Sequence, residues 1–198
     1  MQPGFDGVHG FESALAFVLA WEGGGAVTDD PVDPGGTTRW GISLRFYRRL
    51  HPDADAADIR RLDEAAAAAL YREHFWQAQF CDRLPPPLAL LVFDMAVNCP
   101  PEVTVRTLQE ACGVDVDGLF GPVTLAAARD RGQEAAVLRD LCAERAAYYA
   151  GLAGFARYGR GWLRRTLAAH GAALALCAAS IDVREGVITR ASARDGYR

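Results

Sequence analysis

The stretch WEGGGAVTDDPVDPGGTTRWGI, Trp21 to Ile42, is where the reading of this chain turns. An apolar stripe at Phe11, Leu15, Val18 and Leu19 leads into it at helical spacing. Gly23, Gly24 and Gly25 end that helix, because glycine readily takes the left-handed conformation needed past a helix C-terminus. Glu22 therefore falls in the last turn, beside Trp21 and at the negative end of the helix dipole. The dipole and partial burial both disfavour an ionised carboxylate there. A carboxylic acid that keeps its proton is what general acid catalysis requires. The plainer reading of the same position is a solvent-facing helix-end glutamate.

The loop adds Asp29, Asp30 and Asp33, and Gly35-Gly36 can turn these carboxylates back toward Glu22. Two carboxylates facing one cleft are the usual apparatus of glycoside hydrolysis. Thr37 and Thr38 supply hydroxyls that could hold a water. Asp33-Pro34-Gly35-Gly36 can also be read as a simple turn in which the aspartate bonds its own backbone. The acidic spacing matches no EF-hand, which argues against a calcium loop.

Outward from this stretch, the whole chain sets broad limits. Its 198 residues fit one domain or two small ones. With 51% apolar and 23% charged residues, it has the composition of an ordinary globular protein. A formal charge of −4 carries no basic face, so nucleic acid is not expected as a partner. The five cysteines (Cys81, Cys99, Cys112, Cys142 and Cys177) form no C-x-x-C pair, and Cys112 and Cys142 read as small buried hydrophobes. The histidines, His9, His51, His74 and His170, lack metal-ligand spacing, so neither metal nor cofactor is expected. No G-x-S-x-G elbow is present. The N-terminal residues lack the pattern of a secretory signal. The longest uncharged run, Thr166 to Ile181, is shorter than the roughly 20 residues of a membrane span.

The elements are read as helices. Ser43 caps a short one carrying Leu44, Phe46, Tyr47 and Leu50, and HPDADAAD reads as a polar link. Asp63 caps another, with Ala66, Leu70 and Phe75 on its inner side. After Pro85–Pro87 comes LALLVFDMAVN, apolar nearly all round and so expected at the centre of a fold. Pro101 opens the next helix and Gly113 closes it, DVDGLFGP is a tight connector, and a long helix follows Gly132. RYGRGW, residues 157–162, reads as punctuation before a last helix to about Ser180, with a loose tail from Asp182. The expectation is a mainly α fold with a central buried apolar helix and little or no β-sheet.

WEGGGAVTDDPVDPGGTTRWGIS closely resembles the signature of glycoside hydrolase family 108, lysozyme-like N-acetylmuramidases of phages and bacteria. The shared pattern is a glutamate with two glycines, an aspartate-proline-glycine-glycine turn, a threonine, and a glycine-isoleucine. Gly25 departs from the aromatic usual at its place. The resemblance implies a lysozyme-like fold and Glu22 as the acid that protonates the glycosidic oxygen between N-acetylmuramic acid and N-acetylglucosamine. By looser analogy with phage-type lysozymes, Asp33 is the second carboxylate and Thr38 positions water. Asp30 remains open as the alternative carboxylate or a substrate contact, alongside Thr37 and Trp40.

FDMAVNCPPEVTVRTLQEACGVDVDGLFGPVTLAAA, with RYGRGWLRR further on, resembles the predicted peptidoglycan domain that usually follows this hydrolase module. The expected organisation is a catalytic module at 11–84 and a helical peptidoglycan-binding module at 85–166, packed as one globule. A C-terminal helix at 167–181 and a loose tail at 182–198 complete it. Asp94 and Asn98 lie four apart on one face of the apolar helix. A buried carboxylate needs partners, so this pair either bonds loop backbone or lines the cleft and touches glycan.

The expected protein is a monomeric endolysin acting on the β-1,4 bond of peptidoglycan glycan strands. A lytic transglycosylase using the same glutamate, or a non-catalytic wall-binding protein, are the alternatives. Made in the cytoplasm without a signal, it would need a holin or a phage-like particle to reach the periplasm or cell wall.

Overall fold

The computed structural model describes residues 7–29 and 35–195, with side chains from 10 to 29 and from 35 to 179. Asp30 and Asp33 lie outside the described residues. The fold is mainly α with one small three-stranded sheet. It divides into two units, Met1–Asp82 and Arg83–Arg198.

The first unit opens with α1, Gly7–Trp21. Phe11, Ala14, Leu15 and Val18 are buried at intervals of three and four, the inward stripe expected of such a helix. The helix closes as the glycines require. Gly23 is left-handed (φ 78°), Glu22 N donates to Val18 O (3.0 Å), and Gly24 N reaches back to Leu19 O (3.1 Å).

Three two-residue strands follow: β1 (Val27–Thr28), β2 (Thr38–Arg39) and β3 (Ile42–Ser43). They are antiparallel, with Val27 opposite Arg39 and Arg39 opposite Ile42. Trp40 and Gly41 form the β2–β3 turn, and both have positive φ (55° and 74°), as a type I′ hairpin demands. Ser43 ends β3 and caps α2, Leu44–Tyr47, by accepting from Phe46 N (3.2 Å).

HPDADAAD is not merely a link. Asp55 and Asp58 form a reciprocal capping box that starts α3, Ala56–Arg61. Asp63 caps α4, Glu64–Tyr71, as expected. Its buried face is Ala67 and Tyr71 rather than Ala66 and Leu70, and Trp76 replaces Phe75. The helix passes into a π-helical turn, Arg72–Trp76, whose extra residue stretches the buried spacing from four to five. Trp76 then meets Phe11 edge-on with ring centroids 5.5 Å apart.

In the second unit, α5 (Pro86–Asn98) is buried continuously from Pro87 to Ala96, the central apolar helix anticipated from sequence. Around it pack α6 (Pro101–Cys112), α8 (Glu134–Ala150) and α9 (Phe155–Asp195), while α7 (Pro122–Ala128) lies against α6. Gln109 ties the tight connector down. Its amide donates to Asp117 Oδ1 (2.6 Å) and Leu119 O (3.1 Å), and its carbonyl accepts from Gly118 N (2.8 Å).

The RYGRGW segment is helix interior, not punctuation, because α9 starts at Phe155 and runs without a break. A side chain at Gly159 would collide with the Phe155 ring, so this glycine permits close packing inside the helix. The same helix carries the chain through 167–181 and on to Asp195, where a loose tail was expected. No helix among the described residues is long and apolar enough to cross a membrane.

Candidate active site

Glu22 is the first residue past α1 and is half-buried. What surrounds its side chain is shown by the glycine opposite. A Cβ on Gly41 would lie 2.8 Å from Glu22 Cγ, 2.9 Å from Glu22 Cβ and 2.3 Å from the Tyr71 hydroxyl. Glycine is thus required at 41 twice, once for the left-handed turn and once for this approach. Tyr71, fully buried on α4, donates from its hydroxyl to Trp40 O (3.1 Å). Acid, turn and tyrosine converge on one point.

Trp40 holds a left-handed φ that bulky residues rarely adopt. Its indole lies across Gly25, where a Cβ would come within 2.6 Å of Cζ2. Its Nε1 is buried with no hydrogen-bond partner among the described residues. Arg39 braces the same corner, donating from Nε to Gly25 O (3.2 Å) and from Nη1 to Arg60 O (2.5 Å).

Of the loop carboxylates, Asp29 is the one described. Thr37 donates to its Oδ1 (3.0 Å), and Arg60 of α3 donates to its Oδ2. The Thr37 hydrogen bond and then the Arg60 guanidinium hold this carboxyl below its ordinary range, so it stays ionised. Asp29 is a clamp on the end of β1. Thr37, a candidate substrate contact, is buried (3% exposed), with its hydroxyl on Asp29 and its carbonyl accepting from Leu44 N (2.9 Å). Thr38 is half-buried and donates to Gly36 O (3.2 Å), which leaves its oxygen lone pairs available to a water.

Asp94 and Asn98 are separated by their environments. Asp94, on α5, is completely buried, with Arg145 Nη1 at 2.6 Å on one oxygen and Arg165 Nε at 2.8 Å on the other. Neither loop backbone nor glycan is its partner. Its carboxylate joins three helices. Asn98 is exposed, and its amide donates to Asp94 O (2.8 Å), a bond within its own helix.

Sequence reasoning missed Tyr71 and Arg60, and it read Gly41 only as part of the glycine-isoleucine of the family pattern. Their approach to Glu22 and Asp29 depends on residues far apart in the chain, which no local spacing reveals. The positive-φ Trp-Gly turn was the one local clue available, since a two-residue loop between short strands demands it.

The family described as Glycosyl hydrolase 108 matches residues 15–99, and the Predicted Peptidoglycan domain matches residues 103–167. Among solved structures, that of SagA from Brucella abortus is similar at 34% identity and a TM-score of 0.75, covering 84% of this chain and 94% of that one. No curated protein matches. With Glu22 set at the end of α1 against a small sheet, and with both modules matched in order, the chain belongs to glycoside hydrolase family 108, as a peptidoglycan-directed glycoside hydrolase.

Proposed function

We propose that this chain is an N-acetylmuramidase that cleaves the β-1,4 bond between N-acetylmuramic acid and N-acetylglucosamine. The observation that carries the reading is the placement of Glu22. It is half-buried at the negative end of α1, its stem closed in by the Gly41 turn and the Tyr71 hydroxyl. In this reading Glu22 gives its proton to the departing glycosidic oxygen while positive charge builds on the sugar ring. Asp33, or Asp30 in its stead, stabilises that charge or activates water, with Thr38 orienting the water. Trp40 contributes apolar surface to the bound glycan. The protein then serves as an endolysin, released through a holin or carried by a phage-like particle to the wall.

Glu22→Gln should lower the lysis of purified sacculi by at least about 100-fold with an unchanged melting temperature, as loss of a general acid does. Full lysis by that variant would overturn the assignment. Mass spectrometry of the wild-type digest names the bond. Reducing muramic acid ends support the muramidase, 1,6-anhydromuramic ends indicate a transglycosylase, and reducing N-acetylglucosamine ends indicate a glucosaminidase.

A further inference from the structure

We infer that the cleft at the α2–α3 connection is a second saccharide site, which grips an internal stretch of the glycan strand. The inference rests on the chain's membership of a peptidoglycan-directed hydrolase family, not on which bond is cut. The cleft has a volume of about 460 Å3 and is lined by Tyr47, by residues 50–54 and by Asp58. That volume falls inside the roughly 300–1,000 Å3 of small-molecule sites. Glu22, Gly41 and Tyr71 take no part in its lining.

The backbone forms this cleft in advance of any ligand. Tyr47 O accepts from Leu50 N (3.0 Å) and from His51 N (2.9 Å), and His51 O accepts from Ala54 N (3.0 Å). Arg48 Nε donates to Ala54 O (2.8 Å), and Ala54 itself is buried. Pro52 fixes one further backbone angle. The Tyr47 and His51 rings lie with centroids 4.5 Å apart and planes tilted by 39°. A wall held in this way has little freedom left to lose on binding.

What stays open on that wall sets the ligand. Among the described residues, the Tyr47 hydroxyl, the His51 ring nitrogens and the Asp53 carboxylate carry no hydrogen bond or ion pair. Asp58 is already engaged, its Oδ1 by Arg61 Nη2 (2.7 Å) and its Oδ2 by Asp55 N (2.8 Å). Arg61 on Asp58 and Arg48 at Ala54 offset the acidic charge, so the cleft does not select a cation. The free Asp53 carboxylate disfavours an anion. A neutral ligand with an apolar face and several hydroxyls satisfies every group present, and a pyranose ring is such a ligand. The two rings and Leu50 cover its C–H face, Asp53 accepts from its hydroxyls, and Tyr47 and His51 donate or accept as needed. His51, Pro52 and Asp53 are exposed, which leaves the cleft open, as an internal unit of a polymer requires. A strand held here as well as at Glu22 is presented to the acid at a raised effective concentration.

The test uses the full chain carrying Glu22→Gln, so that glycan is not consumed, with the β-1,4-linked N-acetylglucosamine tetramer as probe. In amide NMR the tetramer should move the signals of residues 47–54 as a set separate from those around Glu22. Adding His51→Ala and Asp53→Ala should abolish the first set. It should also weaken co-sedimentation with purified sacculi about 10-fold or more, the size expected when hydrogen bonds to a charged group are lost. Both side chains are exposed, so the melting temperature should hold. The shift map needs no change in the cleft, so it decides the matter even where the cleft variant loses stability. Shifts confined to the surroundings of Glu22, or unaltered co-sedimentation of a folded cleft variant, overturn the inference. So does a cleft that responds to lysine amide, a cationic probe, and not to the tetramer. If the Glu22→Gln chain still digests sacculi, the acid assignment fails on its own, while shifts at 47–54 uphold the cleft all the same.

Discussion

At the scale of single residues, two glycines do work that their neighbours could not. Gly41 is left-handed and faces both Glu22 and Tyr71. Gly41→Ala should cost about 1–3 kcal/mol for the backbone alone. It should also lower kcat by more than the lost folded fraction explains, because the methyl has no room unless the acid moves. Urea unfolding together with initial rates on sacculi separates the two effects. Gly25 is constrained from the other direction. The family's usual aromatic would stand at this position, yet the Trp40 indole occupies the space. Gly25→Ala should therefore displace Trp40 at a cost of about 1–3 kcal/mol. If Trp40 contacts glycan, the half-saturating substrate concentration rises. Glu22 and its glycines were legible in the sequence because they are adjacent, and helix termination is a local affair. Tyr71 was not, since it reaches Glu22 only through the packing of α4 on the hairpin turn.

Among elements, the joint made by Asp94 is the one most exposed to mutation. It brings α5, α8 and α9 together through a carboxylate shared by two buried guanidiniums. Burying such charges is expensive, and removing the shared partner is worse than never having had it. Asp94→Asn should destabilise the protein by about 3–5 kcal/mol, read as a lower melting temperature in calorimetry, and Asp94→Ala should be no milder. Sequence reading found this helix and its burial because an all-apolar pattern has few other interpretations. It could not find the arginines, which come from α8 and α9 and lie far along the chain. The misread elements share a cause, which is tertiary context overriding local signal. Asp55 and Asp58 looked like a solvated link until their reciprocal caps made a helix of it. The glycines near Tyr158 looked like a stop, whereas Gly159 lets the Phe155 ring lie against the α9 backbone.

For the molecule as a whole, the scattered cysteines set a limit on the conditions it tolerates. All five are free thiols, so the fold owes nothing to disulfides, and reductant should leave the melting temperature unchanged. Burial pushes the Cys112 and Cys142 thiols up from 9.0 to about 11. It pushes the Tyr149 phenol from 10.0 to about 12, even though Arg145 beside it pulls the other way. In the unfolded chain these groups lose their protons near their ordinary values, while the folded protein holds on to them. Their contribution to stability is therefore fully present below about pH 8.5, the ordinary thiol value. It falls away as the pH rises through 9 for the thiols and through 10 for the phenol, and is gone once the folded groups titrate near 11 and near 12. A series of thermal melts from pH 7 to 11 should show a plateau and then a steady decline. The double variant Cys112→Ala, Cys142→Ala should decline less steeply over the same window, because two of the groups that release protons on unfolding are gone. An identical slope in that variant would show that the second unit's alkaline sensitivity lies with Tyr149 and its neighbours instead.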